Sequence, residues 1–306
     1  MQTAGSFAGL VLPQTLLIDM LEPIKKTAFV FAGGGSLGAV QVGMLQELTR
    51  IGLTPEFVIG SSVGAMNACH FAADPSLEGV ERLASIWRGL RRSDIFPFRF
   101  LSLLGMARNR RGIVDPSSLR QLIERHLPYC NLQEAKIPVH VMATNLGGAS
   151  VRLSSGSAVD AILASAAIPA AFPPVRIGDE DLIDGAVGNN TPVLTAIELG
   201  ATRIVVLPTG FACALSGPQT GVIAHGLHAI TLLVAHQLVR DLRQVHAKGA
   251  VEVLTVPTLC PLDVSPYDFS QSAFLIKRTA ALTREWLAGG GLSRPDVPAS
   301  LQAHRH

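Results

Sequence analysis

A chain of 306 residues with 48% apolar and 16% charged side chains can bury a sizeable core, as one large α/β domain or as two smaller ones. Its net charge of +2 is too small to point to nucleic acid as the main partner. A mean hydropathy of +0.36 fits either extensive burial or a surface that meets apolar matter.

Residues 1–24 read as an N-terminal arm in which "TLLIDML" forms a short docking helix. No basic run precedes its apolar stretch, and the first lysines are Lys25 and Lys26. A secretory signal is therefore not expected. The four cysteines, Cys69, Cys130, Cys213 and Cys260, are far apart and form no C-x-x-C. Neither a metal site nor a disulfide framework is expected, and a reducing, cytoplasmic setting is the simpler expectation.

From Thr27 the chain alternates between strand-like and helical runs. "TAFVFA" predicts a strand, and "SLGAVQVGMLQELTRIG" predicts a helix that stops at Gly52. "EFVIG" is a second strand, and "SVGAMNACHFAA" a helix of small residues. After a further helical region, "PVHVMATN" and "ASVRLS" read as strands, and "SAVDAILASAAI" as a helix ending before Pro169. "TPVLTAIELG" is a helix, "TRIVVLP" and "VEVLTVP" are strands, and an amphipathic helix runs through "SAFLIKRTAALTREWLAGGG". This alternation predicts a three-layer α/β/α fold with a mainly parallel central sheet. Nothing resembles a linker, so residues 25–290 are expected to form a single domain, followed by a flexible tail over 291–306.

Two further stretches bear on membranes. Gly221 to Val239 holds nineteen residues without Asp, Glu, Lys or Arg, yet it contains His225, His228 and His236. Those histidines are costly in hydrocarbon, so a buried helix is expected rather than a span. Trp87 to Gly112 mixes seven arginines with Phe96, Phe98, Phe100 and several leucines. The surrounding segment, about 88–115, reads equally as a cap packed on the protein or as an interfacial element that meets anionic membrane.

The glycine pattern of "AGGGSLGA" serves more than one chemistry. Gly33, Gly35 and Gly38 have G-x-G-x-x-G spacing, which can cradle a pyrophosphate or, by the same close backbone approach, an oxyanion. A dinucleotide site wants an acidic residue about twenty positions on, at the end of the second strand. There the chain has Gly60-Ser61-Ser62-Val63-Gly64, a G-x-S-x-G between a predicted strand and a predicted helix. This is the setting of a nucleophile elbow, with Ser62 at the turn and Gly60 and Gly64 allowing it. The bland alternative is a glycine turn with a capping serine. His225, His228, His236 and His246 all fall in helical pattern, where a core or helix-surface role is expected, and no acid completes a metal site at His225 and His228. Asp184, in "DLIDGAVGNN", follows two apolar residues whose desolvation would raise its pKa and its basicity.

"GGGSLG", "GSSVG" and "DGA", in that order, resemble the three signature elements of the patatin-like phospholipase family, here in a bacterial acylhydrolase form. "ASAAIPAAFPPV", with Ser165 and Pro169, resembles the segment between that family's nucleophile and aspartate. The similarity covers about Thr27 to Pro208. It implies a Ser–Asp dyad of Ser62 and Asp184 that hydrolyses lipid acyl esters by an acyl-enzyme, without metal or organic cofactor. The oxyanion loop would be Gly33, Gly34, Gly35, Ser36, Leu37 and Gly38, with the Gly34 and Gly35 N–H groups as donors. The aspartate motif would be Asp184, Gly185 and Ala186. Many relatives carry Arg or Lys where this chain has Leu37. A nucleotide-binding α/β protein and a catalytically silent lipid binder stand as the other readings. Head group, acyl-chain length and oligomeric state have no signal in the sequence.

Overall fold

The computed structural model describes residues 25–96, 114–210, 234, 237–247, 249–295 and 297–301. Outside the described residues lie the N-terminal arm, Phe98, Phe100 and most of the arginine-rich segment, Cys213, and His225, His228 and His236.

Eight strands form one sheet: β1 (Thr27–Phe31), β2 (Phe57–Ser61), β3 (Val139–Asn145), β4 (Ser150–Leu153), β5 (Val175–Ile177), β6 (Glu180–Asp184), β7 (Arg203–Leu207) and β8 (Glu252–Thr255). The bonded path is β5-β6-β3-β2-β1-β7-β8, with β4 on β3. The β1, β2, β3, β7 and β8 pairings along that path are parallel, whereas β4, β5 and β6 pair antiparallel. Sequence patterning missed β5 and β6. The first has three residues, and β6 carries Glu180 and Asp181, so neither presents an apolar run.

The helices are α1 (Ala39–Arg50), α2 (Val63–Ala73), α3 (Leu77–Gly89), α4 (Arg92–Ile95), α5 (Ser117–His126), α6 (Ala158–Ser165), α7 (Gly185–Asn189), α8 (Val193–Glu198), α9 (237–247) and α10 (Ser272–Ala288). Side chains alternate across a strand, so each central strand feeds two cores. Phe29, Phe31, Val58, Val205 and Leu207 join residues of α1, α2, α3, α5, α6 and α10 on one face. Ala28, Val30, Ile59, Ile204 and Val206 meet Val193 and Ala196 of α8, and Leu238, Leu242 and Val245 of α9, on the other. The molecule is thus the expected three-layer α/β/α fold. Leu238 and Val239, at the end of the long uncharged stretch, pack in this second core. Among the described residues, no helix is long and apolar enough to cross a membrane.

The part of the C-terminal segment within the described residues differs from the expected flexible tail. It forms short 3-10 turns at Gly291–Ser293 and Ala299–Leu301, and Leu301 is buried in the second core. An apolar side chain that finds a core groove gains burial that a free tail forgoes.

Strand register sets the position of Asp184. Val141 and Met142 pair with both β2 and β4, and Ala143 and Thr144 with both β4 and β6. A strand has two edges, so β6 continues along the edge of β3 that β2 leaves at Met142. Ser61 lies opposite Met142 and Asp184 opposite Ala143. The end of β6 therefore meets the end of β2, head on.

Candidate active site

Ser62 follows β2 and caps α2 with φ 54° and ψ −126°. A non-glycine residue at such angles costs about 1–3 kcal/mol and persists only where its surroundings hold it. They do here. The Ser62 N–H donates to Ser165 Oγ at 2.8 Å, and Ser165 Oγ donates to the Met142 carbonyl at 2.5 Å. Ser61 Oγ donates to the Asn189 carbonyl at 2.5 Å. The turn also needs its glycines: a Cβ on Gly60 would lie 2.4 Å from the Gly64 carbonyl oxygen, and one on Gly64 2.5 Å from that of Phe31.

Asp184 ends β6 and caps α7, its Oδ1 accepting the Ala186 N–H at 2.8 Å. Gly185 is pressed against β3, where a Cβ would meet the Met142 carbonyl oxygen at 2.2 Å. The Asp184 carbonyl accepts from Thr144 Oγ1, which in turn accepts the Gly188 N–H. With Oδ1 committed, Oδ2 accepts from Ser62 Oγ at 2.8 Å. Burial pushes the Asp184 carboxyl up to about 6, against the lowering effect of the Ala186 and Ser62 hydrogen bonds. Among the described residues, no histidine hydrogen-bonds Ser62 or Asp184. His70 Nδ1 is bonded to the Met66 carbonyl, and His140 Nδ1 to Ser154 Oγ. His246 lies within α9. No cluster of three or more His, Cys, Asp or Glu side chains among the described residues could hold a metal ion.

The glycine loop lies against this pair. A Cβ on Gly33 would sit 3.2 Å from Ser62 Cβ and 2.5 Å from Asn190 Oδ1. Gly35, at φ 58°, begins a 3-10 turn, Gly35–Gly38, ahead of α1. Several loop N–H groups are already used: Gly33 donates to the Asn190 carbonyl, Ser36 to Pro266 and Leu37 to Gly34. Among the described residues, those of Gly34 and Gly35 donate to no protein acceptor. Thr209 Oγ1 fixes the Gly33 carbonyl at 2.8 Å. Leu37 is 1% exposed and belongs to the first core, so its side chain takes no part in the cavity beside Ser62. Gly38 gives room for Val63 and Trp87, either of which a Cβ would crowd.

Sequence reasoning missed the residues that brace the loop from below. Trp87 Nε1 donates to Asn67 Oδ1, Asn67 Nδ2 to the Gly38 carbonyl and Gln41 Oε1, and Gln41 Nε2 to the carbonyls of Ala32 and Leu207. All three side chains are buried, and fully satisfied buried networks of this kind rigidify what they support. No motif joins these residues, which are 20 or more positions apart along the chain.

An apolar cavity has Ser62 and Gly35 in its wall and runs along α2 between α3 and α5. Val63, Met66, Leu83, Ile123 and Phe172 line it, with Tyr267 near Asp184. Burial, and then the Asp184 charge, push the Tyr267 phenol above its ordinary pKa. Phe96 stacks on Phe172 with ring centroids 5.6 Å apart and tilts against Tyr267 at 6.3 Å.

The chain has relatives among known proteins. The chain is 25% identical over 190 residues to a patatin-like phospholipase domain-containing protein of Caenorhabditis elegans, covering 60% of this chain and 17% of that one. It is 29% identical over 170 residues to an NTE family protein of Mycobacterium tuberculosis, covering 55% and 27%. The chain thus spans less than a third of the length of either relative. Among solved structures it is similar to human GIVD cytosolic phospholipase A2, at 13% identity and TM-score 0.49, over 91% of this chain and 59% of that one. It is similar also to VipD from Legionella pneumophila, at 16% identity and TM-score 0.45, over 87% and 67%. The sequence model described as patatin-like phospholipase matches residues 29–197, more than half of the chain, and the chain belongs to that family.

Proposed function

We propose that the protein is a serine acylhydrolase that cleaves acyl esters of lipids, with Ser62 as nucleophile and Asp184 as general base. The observation that carries this reading is the 2.8 Å hydrogen bond to Asp184 from Ser62, which stands in the wall of an apolar cavity. Asp184 takes the hydroxyl proton as Ser62 Oγ bonds to the ester carbonyl carbon. Charge then develops on the carbonyl oxygen, where the uncommitted N–H groups of Gly34 and Gly35 stabilise it. The protonated Asp184 gives its proton to the departing alkoxide, leaving an acyl-enzyme and a free alcohol. Water repeats the cycle: Asp184 accepts its proton, hydroxide adds to the acyl carbon, and Ser62 regains a proton as the acid leaves. This scheme calls on no metal or cofactor.

A nucleotide reading of the glycine loop is less well supported. The Ser36 N–H, at the start of the 3-10 turn, is taken by the Pro266 carbonyl at 2.8 Å. That carbonyl would repel a pyrophosphate where helix N–H groups would have to meet it. Residues 25–290 would act as one domain in the cytoplasm, and contact with anionic membrane remains part of the proposal.

A fluorophosphonate probe tests the assignment. Labelling of the wild type, lost in Ser62→Ala and strongly slowed in Asp184→Asn, is the expected result. Folded wild type that takes no label would overturn it.

A further inference from the structure

We propose that His70 is the end-stop of the apolar cavity and limits the substrate to medium-length acyl chains, of about eight to ten carbons. This rests on the reading of Ser62 as the acylated residue.

Ser62, Met66 and His70 follow one another at intervals of four residues, and all three line the cavity. Such spacing puts them on one face of α2, so the cavity follows the helix from the nucleophile towards its C-terminal end. Eight residues of helix advance about 12 Å. An extended alkyl chain advances roughly 1.25 Å per carbon, given C–C bonds of about 1.5 Å. The run from Ser62 to His70 is therefore filled by about ten carbons. It is slightly shorter in practice, because helical side chains lean towards the N-terminus.

What lies beyond differs in kind. His70, Leu83, Ile86 and His126 line both this cavity and a second one, so together they form the partition between them. The second cavity is bounded by Asp74, Glu78, Glu81, Arg82 and Arg125, with Glu78, Glu81, Arg82 and Arg125 exposed. Methylenes that passed the partition would lie among charges.

The stop itself is held in place. His70 Nδ1 lies 2.8 Å from the Met66 carbonyl, a contact that requires the proton on Nδ1. Nε2 is buried and has no partner among the described residues. Burial lowers its pKa and favours the neutral ring, against the Met66 bond, which favours the charged form, while nearby His126 lowers it further. An apolar side chain would fill this position without leaving an acceptor unpaired, so packing alone does not account for a histidine.

The test uses para-nitrophenyl esters from C4 to C16. Wild-type kcat/KM should peak near C8–C10 and fall at least tenfold by C16. His70→Ala vacates the volume of the ring at the end of the apolar cavity and should move the optimum to longer chains, whereas His70→Phe should move it to shorter ones. A wild-type profile still rising at C16, or variant profiles superimposable on it, overturns the proposal. Thermal shifts of Ser62→Ala with fatty-acid methyl esters read the same ruler without turnover. A chain-length optimum there, with no ester cleaved by the wild type, would reject the hydrolase reading and leave the end-stop standing. Turnover with a flat profile would do the reverse.

Discussion

The Asp184 carboxylate is 4% exposed, and burial raises its pKa to about 6. A base at that value is mostly ionised at pH 7 and far stronger than an ordinary carboxylate near 4, which suits removal of a hydroxyl proton. Hydrolysis should therefore fall with a single protonation near pH 6 on the acid side, as kcat/KM against pH would measure. The same shift acts on stability with a definite sign. The folded pKa lies above the unfolded one, so the contribution to stability is fully present below about pH 4 and is lost as pH rises through about 6. Two pKa units correspond to about 3 kcal/mol, an upper figure for what the ionised, buried carboxylate costs the fold. Asp184→Asn keeps an acceptor for the Ala186 N–H and removes the charge. It should raise Tm at pH 7.5, lose that advantage at pH 4, and hydrolyse almost nothing. A lower Tm than wild type at pH 7.5 would show that the hydrogen bonds to the carboxylate outweigh the cost of burying its charge.

At the level of elements, α1 and α10 pack by close backbone approach. A Cβ on Gly43 of α1 would lie 2.4 Å from the Ile276 carbonyl oxygen and 2.8 Å from the Ala280 nitrogen of α10. Arg284 of α10 adds a bidentate pair with Glu47 of α1, at 2.8 and 3.1 Å. Gly43→Leu should force the helices apart and cost about 1–3 kcal/mol, the usual range for overpacking. Urea denaturation would measure it, and a variant as stable as wild type would mean that the helices slide freely. In the sequence, Gly43 is an unremarked glycine within an apolar helical pattern, because its reason lies on a helix more than 200 residues away. The same holds for the candidate site. Gly60, Ser62 and Gly64 were legible because their chemistry is local: a sharp turn between a strand and a helix. Asp184 was legible only through its motif. Its strand is too short and too charged to show a period-two pattern, and its approach to Ser62 is made by β2 and β6 sharing one edge of β3. The Trp87–Asn67–Gln41 brace and Tyr267 gave no signal, since nothing in local patterning joins residues from separate helices and loops.

For the whole molecule, the matched family region ends at residue 197, yet the loop beside Ser62 is held by what comes after it. The central strand β1 pairs along its full length with β7. The Leu207 carbonyl accepts from Ala32 N and Gln41 Nε2, and Thr209 holds the Gly33 carbonyl. The carbonyls of Ser265 and Pro266 accept from Ser36, through its hydroxyl and its N–H. Helix α10 then covers α1, which continues directly from the loop. A chain ended at Gly200 would keep both Ser62 and Asp184 but leave β1 with an open edge and several buried polar groups unpaired. Such a chain should neither fold cooperatively nor take a fluorophosphonate label, by circular dichroism and gel fluorescence. Labelling of a folded fragment 25–200 at the wild-type rate would show that the motif-bearing half organises the loop unaided. The geometry argues otherwise, because the Ala32 N–H, the Gly33 carbonyl and the Ser36 N–H and hydroxyl find their partners at Leu207, Thr209, Pro266 and Ser265, all beyond residue 200.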